Sequence, residues 1–146
     1  MTDENLLDFS TTLEVRDSCL CMHAQRAARA LARRYDEALR PSGLTNGQFS
    51  VLMALNRPGG AGIRDVAEVL AMDRTTVTAV LKPLTRRGLV EVAASPKDRR
   101  ARALILTQAG RGLLVAALPV WRKMQKEIES LLQEPERLRT EMRSLC

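Results

Sequence analysis

The chain has 146 residues, 45% hydrophobic and 27% charged, enough for one domain with a real core, and its formal net charge of +6 points to a polyanionic partner such as nucleic acid. Aromatic residues make up only 3% (one Trp, one Tyr, two Phe), so the core must be assembled from Leu, Val, Ala and Met, which favours helices over a β-sandwich. No apolar stretch is long enough to span a bilayer, MTDENLLDF lacks the basic start of a secretion signal, and Cys19, Cys21 and Cys146 make no disulfide framework, so no membrane partner and a cytoplasmic location are expected.

Residues 1–17 read as a loosely held acidic arm. From Cys19 to about Arg40 neither Gly nor Pro intervenes, which predicts a long helix striped by Ala24, Ala27, Ala28, Leu31, Ala32 and Leu39, and Pro41-Ser42-Gly43 stops it. Thr45 caps a second helix, with Gln48 completing a capping box and Phe49, Leu52, Met53 and Leu55 as its buried positions. The loop Arg57–Gly62 separates it from a compact third helix, Ile63 to Ala71. Asp73 is the N-cap of a fourth, Arg74 to Arg87, with Val77, Val80, Leu81 and Leu84 inward, a bend expected at Pro83 and Gly88 as its closing residue. Alternation across residues 90–106 predicts a β-hairpin around the charged turn Ser95–Arg100. Thr107 is the next cap, ahead of a long helix from Leu113 through Leu132 interrupted at Pro119, and Pro135 opens a short last helix with Leu138, Met142 and Leu145 on its apolar side.

The order helix, loop, short helix, tight turn, longer helix and basic hairpin fits a helix-turn-helix with an appended wing. The fourth helix would then be the recognition helix, exposing Arg74, Thr75, Thr76 and Thr78, short hydroxyls and one guanidinium that reach base edges and phosphates from the major groove. Taken alone, those threonines read better as a solvated helix start. The hairpin alters that balance, because Lys97, Arg99, Arg100 and Arg102 crowd a turn with no core to bury, as a wing entering a narrow minor groove requires. Asp98 among them would orient a neighbouring Arg.

An enzyme is not expected: there is no Gly-rich phosphate loop, no nucleophile elbow, and a single His without a carboxylate partner in sequence. Cys19, Cys21 and His23 suggest a metal site, but residues two apart on a helix point about 200° apart, so no metal and no cofactor are expected. The alternative to a DNA-binding protein is a helical interaction protein that does not bind DNA, which would explain the long terminal helices and leave the basic hairpin unexplained.

Three segments carry a resemblance over nearly the whole chain to the MarR family of bacterial regulators: Leu70–Thr78 (LAMDRTTVT), Leu84–Val90 (LTRRGLV) and Asp98–Thr107 (DRRARALILT). The resemblance implies a mainly α fold with a small β-hairpin wing: a winged helix-turn-helix lobe over residues 45–107, with dimerisation helices in residues 1–44 and 108–146. It further implies an obligate homodimer, most simply a repressor, on a palindromic operator in double-stranded DNA. Arg100 would be the wing-tip residue of the minor groove, Arg74, Thr75, Thr76 and Thr78 would face the major groove, and Arg64 would contact phosphate. Cys21, followed by Arg29 and Tyr35, resembles the reactive thiol of the hydroperoxide-sensing branch, although Gln25 stands where that branch has a tyrosine; the other reading of Cys21 is a small hydrophobe buried at the dimer interface. Release from DNA would come from a small aromatic or phenolic effector lined by His23, Arg26, Phe49 and Met53, or from thiol oxidation.

Overall fold

The structure, a computed structural model, describes residues 7–146. It divides into two units, with the boundary between Arg34 and Tyr35.

The first unit holds helix α1 (Phe9–Ser18) and the start of α2 (Leu20–Leu39). Residues 1–6 of the expected acidic arm lie outside the described residues, and the rest of that arm is corrected: most of it is helical. The cause is local. The Asp8 carboxylate caps α1, accepting from the Thr11 amide at 3.0 Å and the Ser10 hydroxyl at 2.6 Å. Helix α1 buries none of its residues. It stops at Cys19, whose backbone is extended, one residue after the Ser18 hydroxyl bonds back to the Glu14 carbonyl.

The second unit contains the core. After α2, a 3-10 turn (Arg40–Ser42) ends at Gly43 in the left-handed region, and α3 (Asn46–Ala54) begins with the Thr45–Gln48 capping box anticipated from sequence. Phe49, Leu52 and Leu55 are buried as expected, together with Val51; Met53 is not, and stands 39% exposed on the wall of an apolar pocket. Helices α4 (Ile63–Leu70) and α5 (Arg74–Arg86) follow, then an antiparallel hairpin of β1 (Val90–Ala94) and β2 (Arg102–Leu106). Ala61 adds a bridge to Leu104 through two backbone hydrogen bonds of 3.1 and 2.8 Å, tying the loop before α4 to the hairpin base. Strict alternation along β2 therefore fails: Ala103 and Leu104 are both buried.

Thr107 caps α6 (Gln108–Glu129) through the Gly110 amide. The helix runs unbroken through Pro119, where an interruption was expected, and α5 likewise continues past Pro83. Helix α7 (Pro135–Arg143) closes the chain. Leu39, Leu52, Leu55, Val66, Val77, Leu84 and Val90 are each almost wholly buried, so α2, α3, α4, α5 and the hairpin share one aliphatic core. Among the described residues no helix is long and apolar enough to cross a membrane.

Candidate nucleic-acid interface

Two helices joined by three residues build the centre of the site. Helix α4 starts at Gly62, whose amide donates to the Asp65 carboxylate at 3.1 Å, and Arg64 stands exposed in its first turn. It ends in a Schellman motif: the Met72 amide reaches the Ala67 carbonyl at 2.9 Å and the Ala71 amide the Glu68 carbonyl at 3.2 Å. This requires a left-handed residue, and Ala71 supplies it at φ 50°, the one non-glycine with positive φ among the described residues. The chain then turns straight into α5.

Asp73 occupies the N-cap position of α5 without a side-chain capping bond. Val77, Leu81 and Leu84 face the core, so Arg74, Thr75, Thr76 and Thr78 are all exposed at the helix start. The Thr78 hydroxyl donates to the Arg74 carbonyl at 2.9 Å, which leaves Thr75 and Thr76 as the two threonines with uncommitted hydroxyl hydrogens. At the far end Gly88, at φ 70°, closes a second Schellman motif through the bond from the Leu89 amide to the Leu84 carbonyl. Arg87 remains exposed and donates to the Gly43 carbonyl at 2.7 Å.

The hairpin turn holds its shape with backbone bonds. Ser95 donates to the Ala101 carbonyl at 2.9 Å, Ala101 to the Asp98 carbonyl at 3.1 Å, and the Asp98 carboxylate accepts from the Arg100 amide at 2.9 Å. Asp98 thus orients Arg100 through its main chain, and no ion pair forms between them. Lys97, Arg99, Arg100 and Arg102 are exposed and without carboxylate partners among the described residues. Four unpaired cations on an outward-pointing turn form a surface suited to phosphate oxygens.

Residues 42–101 match the sequence profile of the MarR family. The structure is similar to that of the transcriptional regulator MosR of M. tuberculosis, solved in complex with DNA, with 39% identity and a TM-score of 0.79 over 88% of this chain and 93% of that one. The chain belongs to the MarR family. A second structure similar to this MarR-family chain is that of BpsR of Bordetella bronchiseptica, solved to explain regulation of its DNA binding by 6-hydroxynicotinic acid (28% identity, TM-score 0.76, 88% of this chain and 93% of that one). In sequence, the regulator TtmR of Methylorubrum extorquens is 36% identical over 66% of this chain and 50% of its own length. The chain spans about half the length of curated relatives it matches, 50% and 51% for two of them.

Away from the cations, this MarR-family lobe has an apolar pocket of about 420 Å³ between α3, the end of α4 and α6. Phe49 and Met53, two of the four expected effector contacts, line it with Ser50, Val69, Leu70 and Trp121. His23 and Arg26 lie in the first unit, both exposed on α2. Sequence reasoning missed Trp121. Its ring stacks between Phe49 and Tyr35 at centroid separations of 6.2 and 6.5 Å, uniting three of the four aromatic side chains.

Of the two candidate redox residues, Cys21 is exposed on the single chain, and its thiol accepts from the Gln25 side chain at 3.3 Å. The Tyr35 hydroxyl is committed to Gln125, and burial together with the Glu129 carboxylate raises the phenol above its ordinary pKa. Among the described residues no three His, Cys, Asp or Glu side chains group to hold a metal ion.

Proposed function

We propose that this chain is a DNA-binding transcriptional regulator, a cytoplasmic repressor that sits as a homodimer on a palindromic operator. The observation that carries the reading is the conjunction of two exposed elements on one lobe: the start of α5, with Arg74, Thr75 and Thr76, and the unpaired cations of the hairpin turn. Helix α5 reads base edges in the major groove, Arg100 senses the width of the adjacent minor groove, and Arg64 holds a phosphate. Exposed apolar side chains on α7 and the segments on either side of it (Leu131, Leu138, Met142, Leu145) support a partner subunit.

The pocket supports control by a small aromatic or phenolic effector. Val69 and Leu70 of its wall are the last residues of α4, next to the turn that aims α5, so a ligand there bears on the recognition helix. Thiol oxidation at the exposed Cys21 is the second route, and loss of peroxide sensitivity in Cys21→Ser separates the two.

The test is equilibrium binding to a duplex selected by the wild-type chain from a random-sequence library, with single-base variants of that duplex. Thr76→Ala changes which bases are preferred, at about 1–3 kcal/mol for a lost base contact. Arg100→Ala weakens binding broadly, with lost preference confined to A·T-rich flanks. Wild-type affinity in Arg100→Ala at every salt concentration overturns the assignment of the hairpin as a DNA wing.

A further inference from the structure

The buried and exposed positions of α5 fix which line of the helix faces outward, and that line is longer than its threonines. Val77, Leu81 and Leu84 point into the core. At about 100° per residue the opposite line runs through Thr75, Ala79, Lys82 and Arg86, all exposed. Thr76 and Thr78 flank it on either side. Ala79 keeps the middle of the line low, so the helix backbone can sit deep in a groove. Lys82 then lies roughly 10 Å along the axis from Thr75, at 1.5 Å per residue, comparable to the roughly 12 Å width of the major groove.

The electrostatics of Lys82 are those of a cation awaiting an anion. Helix α5 contains no Asp or Glu, so no i±3 or i±4 partner exists. Among the described residues no carboxylate lies within ion-pair distance of its ammonium. An ordinary solvated helix face mixes charge signs, whereas the exposed charges from Arg74 to Arg87 are all positive. They are also not equivalent. Arg87 is tied to the Gly43 carbonyl, and Arg86 lies a further turn beyond Lys82, about 16 Å from Thr75.

We infer that Lys82 is a further DNA-contacting residue, binding a backbone phosphate on the groove wall beyond the bases met by Thr75 and Thr76. This inference rests on the proposed DNA-binding function and adds to it a contact in the third turn of the recognition helix. A lysine there acts as a point charge on phosphate, so it contributes affinity and register without base discrimination.

The experiment measures binding of Lys82→Ala, Lys82→Arg and Arg86→Ala to the selected duplex and its single-base variants at several salt concentrations. All three substitutions fall at exposed positions, and unchanged thermal melts confirm intact folds. Loss of one phosphate contact lowers the slope of log K against log salt by about 0.9. Lys82→Ala is expected to show that decrease with unaltered base preferences, Lys82→Arg to retain the wild-type slope, and Arg86→Ala to change it less than Lys82→Ala. A wild-type slope in Lys82→Ala overturns the inference alone, as does a change in its base preferences. A wild-type chain that selects no duplex overturns the proposed function, and the inference with it.

Discussion

Gly60 and Gly88 both adopt the left-handed backbone, at φ 69° and 70°, yet a methyl group added to each meets different surroundings. At Gly88 a Cβ finds no atom within 4 Å, so Gly88→Ala bears only the backbone cost, about 1–2 kcal/mol. At Gly60 the Cβ would sit 2.1 Å from the Leu104 carbonyl oxygen, which is itself fixed by its bond to the Ala61 amide. Gly60→Ala therefore adds displacement of the hairpin base to the same backbone cost, for a loss of roughly 3 kcal/mol or more. Denaturant melts of the two variants check the order, and equal losses would show that the Ala61–Leu104 bridge yields freely. The same pair shows what a local reading of sequence reaches. Gly88, Thr45 with Gln48, and Thr107 were legible because a cap involves residues within one turn of each other. The demand on Gly60 comes from Leu104, far along the chain, and no local pattern announces it. Ala71 was opaque for another reason: the left-handed turn that aims α5 is normally signalled by Gly, and here Ala carries it.

Among the elements, α7 is held less by packing than by charge. Arg139 donates to Glu129 of α6 at 2.6 Å and to Glu136 of its own helix at 2.8 Å, while α7 buries none of its residues. Hydrogen bonds from Gln125 and Arg139 hold Glu129 below the ordinary carboxylate pKa, and Arg139 does the same for Glu136. A carboxyl with a depressed folded pKa stabilises the fold above its unfolded value, near 4.5, and that contribution disappears as pH falls through the folded pKa. Glu129 is partly and Glu136 largely open to solvent, so the effect is local, not global. Amide exchange across Pro135–Arg143 should accelerate, relative to α6, as pH drops below the glutamate range. In Arg139→Gln that extra acceleration should shrink. An α7 whose protection relative to α6 is the same at neutral and acidic pH would mean that the ion pairs do not dock it. The outline of α7 was readable from Pro135, but its anchoring was not, since Glu129 and Arg139 are ten residues apart on different helices. Readings of α6 erred in the opposite direction: Pro119 looked like an interruption, and the helix continues through it. The candidate interface was legible for the related reason that a charged turn with no apolar positions has little else to do. The outward line through Ala79 and Lys82 follows from the inward positions Val77, Leu81 and Leu84, which were themselves readable in the sequence.

At the scale of the molecule, the apolar side chains left outside the core argue for a second copy of the chain. Leu131, Leu138, Met142 and Leu145 stand 66%, 37%, 43% and 74% exposed around α7, and Phe9, Leu20 and Met22 of the first unit are likewise exposed. Each fully buried Leu or Met side chain contributes about 1.5–3 kcal/mol, so covering even half of these is comparable to the typical stability margin of a small domain. If a partner subunit covers them, folding and association are one equilibrium, and the melting temperature must rise with protein concentration. The expected result is an increase of several degrees between micromolar and hundred-micromolar full-length chain, with a dimer mass by sedimentation across that range. Leu131→Glu combined with Leu138→Glu should lower the melting temperature and shift the sedimentation mass toward monomer. It should also weaken binding to the selected duplex, because two half-sites are held together only by the link between subunits. A melting temperature independent of concentration, with a monomer mass, would remove the dimer from the proposal while leaving the lobe's contacts with a single half-site untouched. The operator would then have no reason to be a palindrome, because the symmetry expected of the DNA is that of the protein bound to it.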